Sequence, residues 1–256
     1  MHVGGRVSGE GHAVKMESVL STLSVRAECH VAPNPPPGAS PIPATTIPAT
    51  TIPAINSGLR WVDVIVAAIL LLIILPVWAL IALAIRLTSA GPIIFAHDRV
   101  GLGGQMFSCL KFRSMALDAD DRLVALLATD SASRTEWAQD HKLKNDPRIT
   151  RVGRFLRKSS LDELPQLLNV LRGEMSLVGP RPIVPSEMVR YGRYIRHYCS
   201  VRPGITGMWQ ISGRSDVSYP RRVALDVLYI RSRSLSVNLY ILGMTLLSVI
   251  MAEGSC

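Results

Sequence analysis

VIVAAILLLIILPVWALIALAI, residues 64–85, runs for 22 residues without a charge. As a straight helix it would measure about 33 Å, enough to cross the hydrocarbon core of a bilayer. A charge-free run of this length rarely lies in the core of a soluble protein, so it is read as a membrane anchor. Pro76 sits near its middle. Proline removes one helical hydrogen bond and crowds the preceding turn, and in lipid the freed carbonyl needs another partner. Two topologies follow: a span, or a re-entrant hairpin broken at Pro76. Arg60 and Arg86 flank the run. Cations at both ends do not orient a crossing; they suit two ends that stay on one side. Residues 58–87 are therefore expected to form a re-entrant helix-break-helix.

Before this anchor, residues 1–57 are rich in Gly, Pro, Ser, Thr and Ala, with a five-residue repeat, PATTI, over residues 43–54. Proline at every fifth position blocks helix and sheet, so a disordered extension is expected. No apolar stretch followed by a small-residue cleavage site marks a signal peptide. After the anchor, residues 86–256 hold 24 Lys plus Arg against 15 Asp plus Glu, so the whole net charge of +9 lies there. Excess positive charge suits nucleic acid, an anionic membrane or phosphate-rich ligands. Aromatics are 5% and no nucleic-acid-binding pattern is present, so nucleic acid is not the expected partner. Cys29, Cys109, Cys199 and Cys256 are isolated and are read as free thiols.

The chemistry centres on SSLDELPQLLNVLRGEMSLVGPRP, residues 159–182. Asp162 and Glu163 are adjacent acids at an expected helix start, with Asp162 as N-cap. Pro165 then falls in the first turn, where its missing N–H costs little. Leu164, Leu167, Leu168 and Leu171 recur at helical spacing. Arg148, Arg151, Arg154 and Arg157 lie upstream at spacing three, and Arg181 lies downstream. Acids facing fixed cations suit phosphoryl transfer, because a carboxylate can attack phosphorus and a helix start favours a phosphate. The same letters also read as a capping box, Ser160 to Glu163, beside a solvated basic face. Both readings stand on this fragment alone.

Elsewhere, the glycines of residues 99–104 either cradle a phosphate or join two strands. Lys111 and Arg113 share one face of an extended chain. Residues 116–140 read as one polar amphipathic helix. Residues 183–200, with Tyr191, Tyr194 and Tyr198, are a basic aromatic helix that lies along headgroups or forms a plain surface. Residues 201–216 form a Pro/Gly-braced loop with Arg202 and Arg214, of the kind that contacts ligands. Residues 237–251 are apolar but too short to span, so they pack on the domain or lie in the interface.

The order of these motifs, from the Pro-interrupted apolar segment through KFRSM (111–115), residues 159–182, VRPGITGMWQISGRSD (201–216) and LDVLYI (225–230), resembles the bacterial sugar transferases. These are the monotopic polyprenyl-phosphate phosphoglycosyl transferases that initiate exopolysaccharide and O-antigen assembly. The resemblance covers residues 58–256. It implies transfer of a sugar 1-phosphate from a UDP-sugar to undecaprenyl phosphate, releasing UMP, through an aspartyl-phosphate intermediate with Mg²⁺. It implies Asp162 as nucleophile and metal partner, Glu163 as its dyad partner, and Lys111, Arg157 and Arg181 as phosphate-facing cations. Spacing adds Arg113, and the ligand-type loop adds Arg202 and Arg214. The implied location is the cytoplasmic face of the bacterial inner membrane, with downstream glycosyltransferases taking the product. Leu75 stands where the family usually has a small polar residue before the proline, and residues 1–57 have no counterpart there. The chain resembles the short, catalytic-core type. The expected fold is α+β: the re-entrant anchor followed by a small, mostly helical cytoplasmic domain, residues 88–256, with a short β-hairpin.

Overall fold

The computed structural model describes residues 57–140, 143, 145–213 and 217–250. The expected disorder of residues 1–57 falls almost wholly outside them, as do Cys29 and Cys256. The described chain is a mixed helix and sheet fold. Helix α1 covers Ser57–Thr88, and strands β1 (Ile94–Val100) and β2 (Met106–Phe112) follow. Helices α2 (Ala119–Thr129), α3 (Ser131–Asp140), α4 (Arg151–Lys158) and α5 (Gln166–Arg172) lead to β3 (Ser176–Val178). Short helices α6 (Met188–Tyr191) and α7 (Ile195–Cys199) precede β4 (Gly204–Thr206) and α8 (Met208–Ile211). Helices α9 (Tyr219–Ser232) and α10 (Leu235–Ile250) close the fold.

Helix α1 is long and apolar enough to cross a membrane by length and composition. It runs as one helical element through Pro76. The expected break into two helices is therefore corrected: the proline lies inside the helix, and what it removes is the N–H that would bond the carbonyl four residues back. Both ends of α1 rest on the same body. At the N-terminal end, Leu59, Asp63 and Ala67 are buried. Arg60 Nη2 donates to the Val170 carbonyl at 2.7 Å, and Asp63 accepts from Ser176 Oγ at 2.7 Å. At the C-terminal end, Ile81 and Ile85 pack in a cluster with Phe112 and Leu156. Between them Leu72, Ile73, Leu75 and Leu80 are exposed.

The expected hairpin forms. β1 and β2 pair antiparallel, Ile94 opposite Phe112, and the glycine stretch is the connecting turn, with Gly103 at φ 66°. A second pair, β3 beside β4, runs parallel and was not expected. Asn169 docks α5 on the hairpin: Leu110 N donates to its Oδ1, and its Nδ2 donates to the Ser108 carbonyl, both at 2.9 Å. Asn169 is fully buried, so those paired backbone groups are not left without partners.

Residues 116–140 are two helices rather than one. Asp130 separates them and accepts from Ala132 N and Ser133 N at the start of α3. Residues 183–200 also depart from a single helix at the interface. Tyr191 and Tyr198 are core residues, because each hydroxyl finds an interior partner: Tyr198 donates to the Val100 carbonyl at 2.8 Å and Tyr191 to Asp226 at 2.7 Å. Helix α10 buries Val237 and Ile241 and exposes Leu239, Leu246 and Leu247. Cys109 and Cys199 are free and buried.

Asp226 carries a pH dependence. Burial pushes its carboxyl up to about 7, against the lowering effects of the Tyr191 hydrogen bond and Arg222. The folded protein thus keeps this proton over a range in which the unfolded chain, with its carboxyl near 3.8, has lost it. The stability it contributes is complete below the unfolded value and is lost as pH rises through the folded one. Asp226→Asn keeps an acceptor for Tyr191 and cannot ionise. Thermal melts in detergent are expected to show the variant a few °C more stable than wild type at pH 8, with no gain at pH 4.

Candidate active site

Helix α4 delivers the chain to the acid pair. Thr150 caps it, accepting from Gly153 N through its hydroxyl at 2.9 Å. Gly153 lies so close to the Ser114 carbonyl that a Cβ would stand 1.9 Å from that oxygen. Gly153→Ala must push α4 off the strand end. Thermal melts are expected to show a loss of about 1–3 kcal/mol, the usual cost of overpacking. After α4, Ser160 turns the chain in the left-handed region, φ 57°, alone among the described non-glycine residues in taking positive φ. A tight turn, Leu161–Glu163, then presents both acids before α5 starts with Pro165 at its N-cap position. The expected helix start at Asp162 is thereby corrected. Ser160 makes no capping bond, because its left-handed backbone turns it out of the cap geometry.

Lys111, on β2, holds the pair together. Its Nζ donates to Glu163 Oε1 at 2.6 Å and lies 3.8 Å from Asp162 Oδ2. Arg181 Nη1 stands 3.8 Å from the same Glu163 oxygen. Arg157 donates through Nε to Ser114 Oγ at 2.8 Å, and Asp162 is among the charges that act on it. These four expected residues around Asp162 converge from β2, α4 and two turns. A fourth cation, Arg99 on β1, stands outside the expected set. It lies 4.0 Å from Glu187 and acts electrostatically on Glu163. Its signal in the sequence was its place just before the glycine turn.

The two acids are in different electrical states. Asp162 is only 8% exposed. Burial pushes its carboxyl above the ordinary value, with Lys111 pulling the other way and Glu163 adding to the rise. Burial would raise Glu163 too, but Lys111 and Arg181 outweigh it and hold that carboxyl below its ordinary value. One acid is thus a neutralised anchor for Lys111. The other is a desolvated oxygen beside several cations, an arrangement that can bind phosphate and supply a nucleophile.

A family model described as bacterial sugar transferase matches residues 56–252. The chain belongs to the bacterial sugar transferase family. The undecaprenyl-phosphate galactose phosphotransferase of Salmonella typhimurium is 48% identical over 197 residues, 77% of this chain and 41% of the relative. The UDP-galactose-lipid carrier transferase of Erwinia amylovora is 46% identical over 196 residues, with the same two shares, 77% and 41%. The exopolysaccharide production protein ExoY of Rhizobium meliloti is 46% identical over 196 residues, 77% of this chain and 87% of the relative. The chain therefore spans less than half the length of the first two.

Other expected site residues of this sugar transferase lie elsewhere. Arg113 is buried and donates to the Ala90 and Ser89 carbonyls at 2.6 and 2.8 Å. The strand ends at Phe112, so its side chain closes the turn after α1 and does not join Lys111 on a phosphate-facing edge. Arg202 donates to the Gly173 carbonyl at 2.6 Å, at the far end of α5 from the acids. Arg214 lies outside the described residues. Of the spaced arginines, Arg148 is buried on Asp146, 2.7 Å away, while Arg151 and Arg154 are exposed. Spacing three walks around a helix of 3.6 residues per turn, so the series does not share one face.

Among the described residues no group of three or more His, Cys, Asp or Glu could hold a metal ion. The donor set fits a Mg²⁺ of a different kind. That ion is commonly held by one or two carboxylates together with substrate phosphates, and Asp162 offers Oδ1, which has no hydrogen-bond partner among the described residues, beside the phosphate-attracting cations.

Proposed function

We propose that this sugar transferase moves a sugar 1-phosphate from a UDP-sugar to undecaprenyl phosphate, yielding the lipid diphosphate sugar and UMP, and so initiates exopolysaccharide or O-antigen synthesis. The observation that carries this reading is the split acid pair: Lys111 bonded to Glu163 at 2.6 Å, with Asp162 buried beside it. The names of the Salmonella and Erwinia relatives support the substrate class.

In the first step an Asp162 carboxylate oxygen forms a bond to the sugar-bearing phosphorus, and the bond from that phosphorus to the UMP oxygen breaks. In the second, an oxygen of the acceptor phosphate attacks the same phosphorus and the aspartyl carboxylate leaves. No proton need move in either step, so Asp162 must begin ionised. Lys111 and Arg157 offset its repulsion of the incoming diphosphate, while Arg181 draws the phosphates towards the pair. Mg²⁺, held by Asp162 and the donor phosphates, would add charge screening.

The acceptor phosphate hangs from a lipid, so the site must sit at headgroup depth. The contact of both ends of α1 with one body supports an anchor that does not cross the bilayer, with both its ends on the cytoplasmic face. Cysteine substituted singly at Gly58 and at Thr88 is expected to resist an impermeant reagent applied from outside intact cells. Labelling at only one of the two would establish a span. The reaction is tested with the purified full chain, Mg²⁺, undecaprenyl phosphate and UDP-galactose, then UDP-glucose. UMP release supports the reading. If no UDP-sugar in a panel gives UMP, the reading fails.

A further inference from the structure

At the opposite end of α5 from the acid pair, a crease opens beside the N-terminal foot of α1. It is lined by Arg60, Asp63, Ser176, Arg202, Tyr229 and Arg233. The three arginines come from three places: α1, the loop before β4, and the link between α9 and α10. Asp63 does not neutralise them. Its two oxygens accept from Ser176 Oγ and Leu177 N, at 2.7 and 3.2 Å, and no arginine lies within ion-pair distance of it among the described residues. Arg60 and Arg202 have backbone work: Arg60 donates to the Val170 and Leu171 carbonyls, Arg202 to that of Gly173. They close the C-terminal end of α5, where cations are favoured. Arg233 has no such work. Among the described residues it makes no hydrogen bond or ion pair, yet it lines the crease, where its charge bears on Arg202 and Asp63.

Three guanidinium groups against one carboxylate leave a net charge of +2 in a crease cut into the domain. Like charges brought together oppose folding, and an anion entering the crease relieves them. Guanidinium groups suit phosphate oxygens in particular, through their forked donors. The position selects the source. Trp61, next to Arg60, is 67% exposed, and the exposed apolar face of α1 continues through Ile65 and Ile69. An anion held here would lie where that apolar face meets water.

We propose that this crease binds the phosphodiester of an anionic glycerophospholipid headgroup, as a second phosphate site separate from the acid pair. The proposal rests on the membrane seating of α1 but not on the transfer reaction. Its function is to choose the lipids around the foot of the anchor and to fix the depth of the domain against them.

The test is a binding experiment that needs no turnover. The full chain in neutral detergent is titrated with dihexanoyl-phosphatidylglycerol, with dihexanoyl-phosphatidylcholine, and with inorganic phosphate, and its melting temperature is read. Phosphatidylglycerol is expected to raise it saturably, and phosphatidylcholine is not. Arg233→Gln is expected to raise the half-saturating concentration about tenfold, the effect of losing one charge-assisted contact. Arg233→Lys, which keeps the charge and guards against a folding defect in the glutamine variant, is expected to lose less. Lys111→Gln is expected to leave the titration unchanged. Equal stabilisation by phosphatidylcholine overturns the proposal. So does a response lost in Lys111→Gln and kept in Arg233→Gln, which would move the anion to the acid pair. Stabilisation by inorganic phosphate as strong as by phosphatidylglycerol would make this a soluble-anion site and overturn the lipid assignment. Failure of the UDP-sugar assay alongside a response abolished by Arg233→Gln would sink the transfer reaction and leave this site standing.

Discussion

Asp162→Asn is expected to lower UMP release by about 10⁴-fold or more, the scale on which removing a covalent nucleophile acts. The amide is nearly the same size, so the turn at Leu161–Glu163 and the Lys111 bond to Glu163 should both survive. The variant should melt within a few °C of wild type, and its carboxamide, which cannot ionise, also removes the burial cost borne by Asp162. The measurement is UMP release beside a thermal melt and a membrane-fractionation assay. A loss of activity with folding and membrane association intact places the defect in the chemistry. Retained turnover would remove Asp162 from the role of nucleophile.

Lys111→Met is expected to lower turnover by about 10²–10³-fold, the usual cost of removing one electrostatic donor from a reacting site, and to shift the pH profile. The sign follows from the neighbours. Lys111 is the foremost influence lowering the Asp162 carboxyl against its burial, and the foremost one lowering Glu163. Without it both carboxyls rise. The nucleophile must be ionised, so the acid limb of kcat/KM should move to higher pH, and part of the lost activity should return on raising the pH. A variant that loses activity equally at every pH would show that Lys111 acts only on the substrate phosphates.

Local features of the molecule were readable from its residues, and contacts between distant segments were not. The 22-residue apolar run, the strand pair around the glycine turn and the apolar face of α5 each depend on neighbours in sequence, and each formed. So did the adjacency of Asp162 and Glu163. The bond from Lys111 to Glu163 joins residues 52 apart, and only the resemblance of the motifs placed them together. Asn169 gave no sign that it would pin α5 to β2, because a lone asparagine in a helix carries no long-range pattern. Strand alternation does not reach Arg113, which lies one residue past the end of β2. The amphipathic chemistry of the tyrosines of residues 183–200 suits either an interface or a core. Whether their hydroxyls meet lipid headgroups or an interior carbonyl depends on segments up to 98 residues away.

The most direct measurement is the intact mass of the full chain after mixing with a reactive UDP-sugar and Mg²⁺ in the absence of any lipid acceptor. The account predicts an adduct of one sugar phosphate per chain, located on Asp162 by peptide mapping, with matching release of UMP and loss of the adduct when undecaprenyl phosphate is added. A chain that converts donor and acceptor to product yet never carries that adduct, in an experiment quenched within a single turnover, would contradict it.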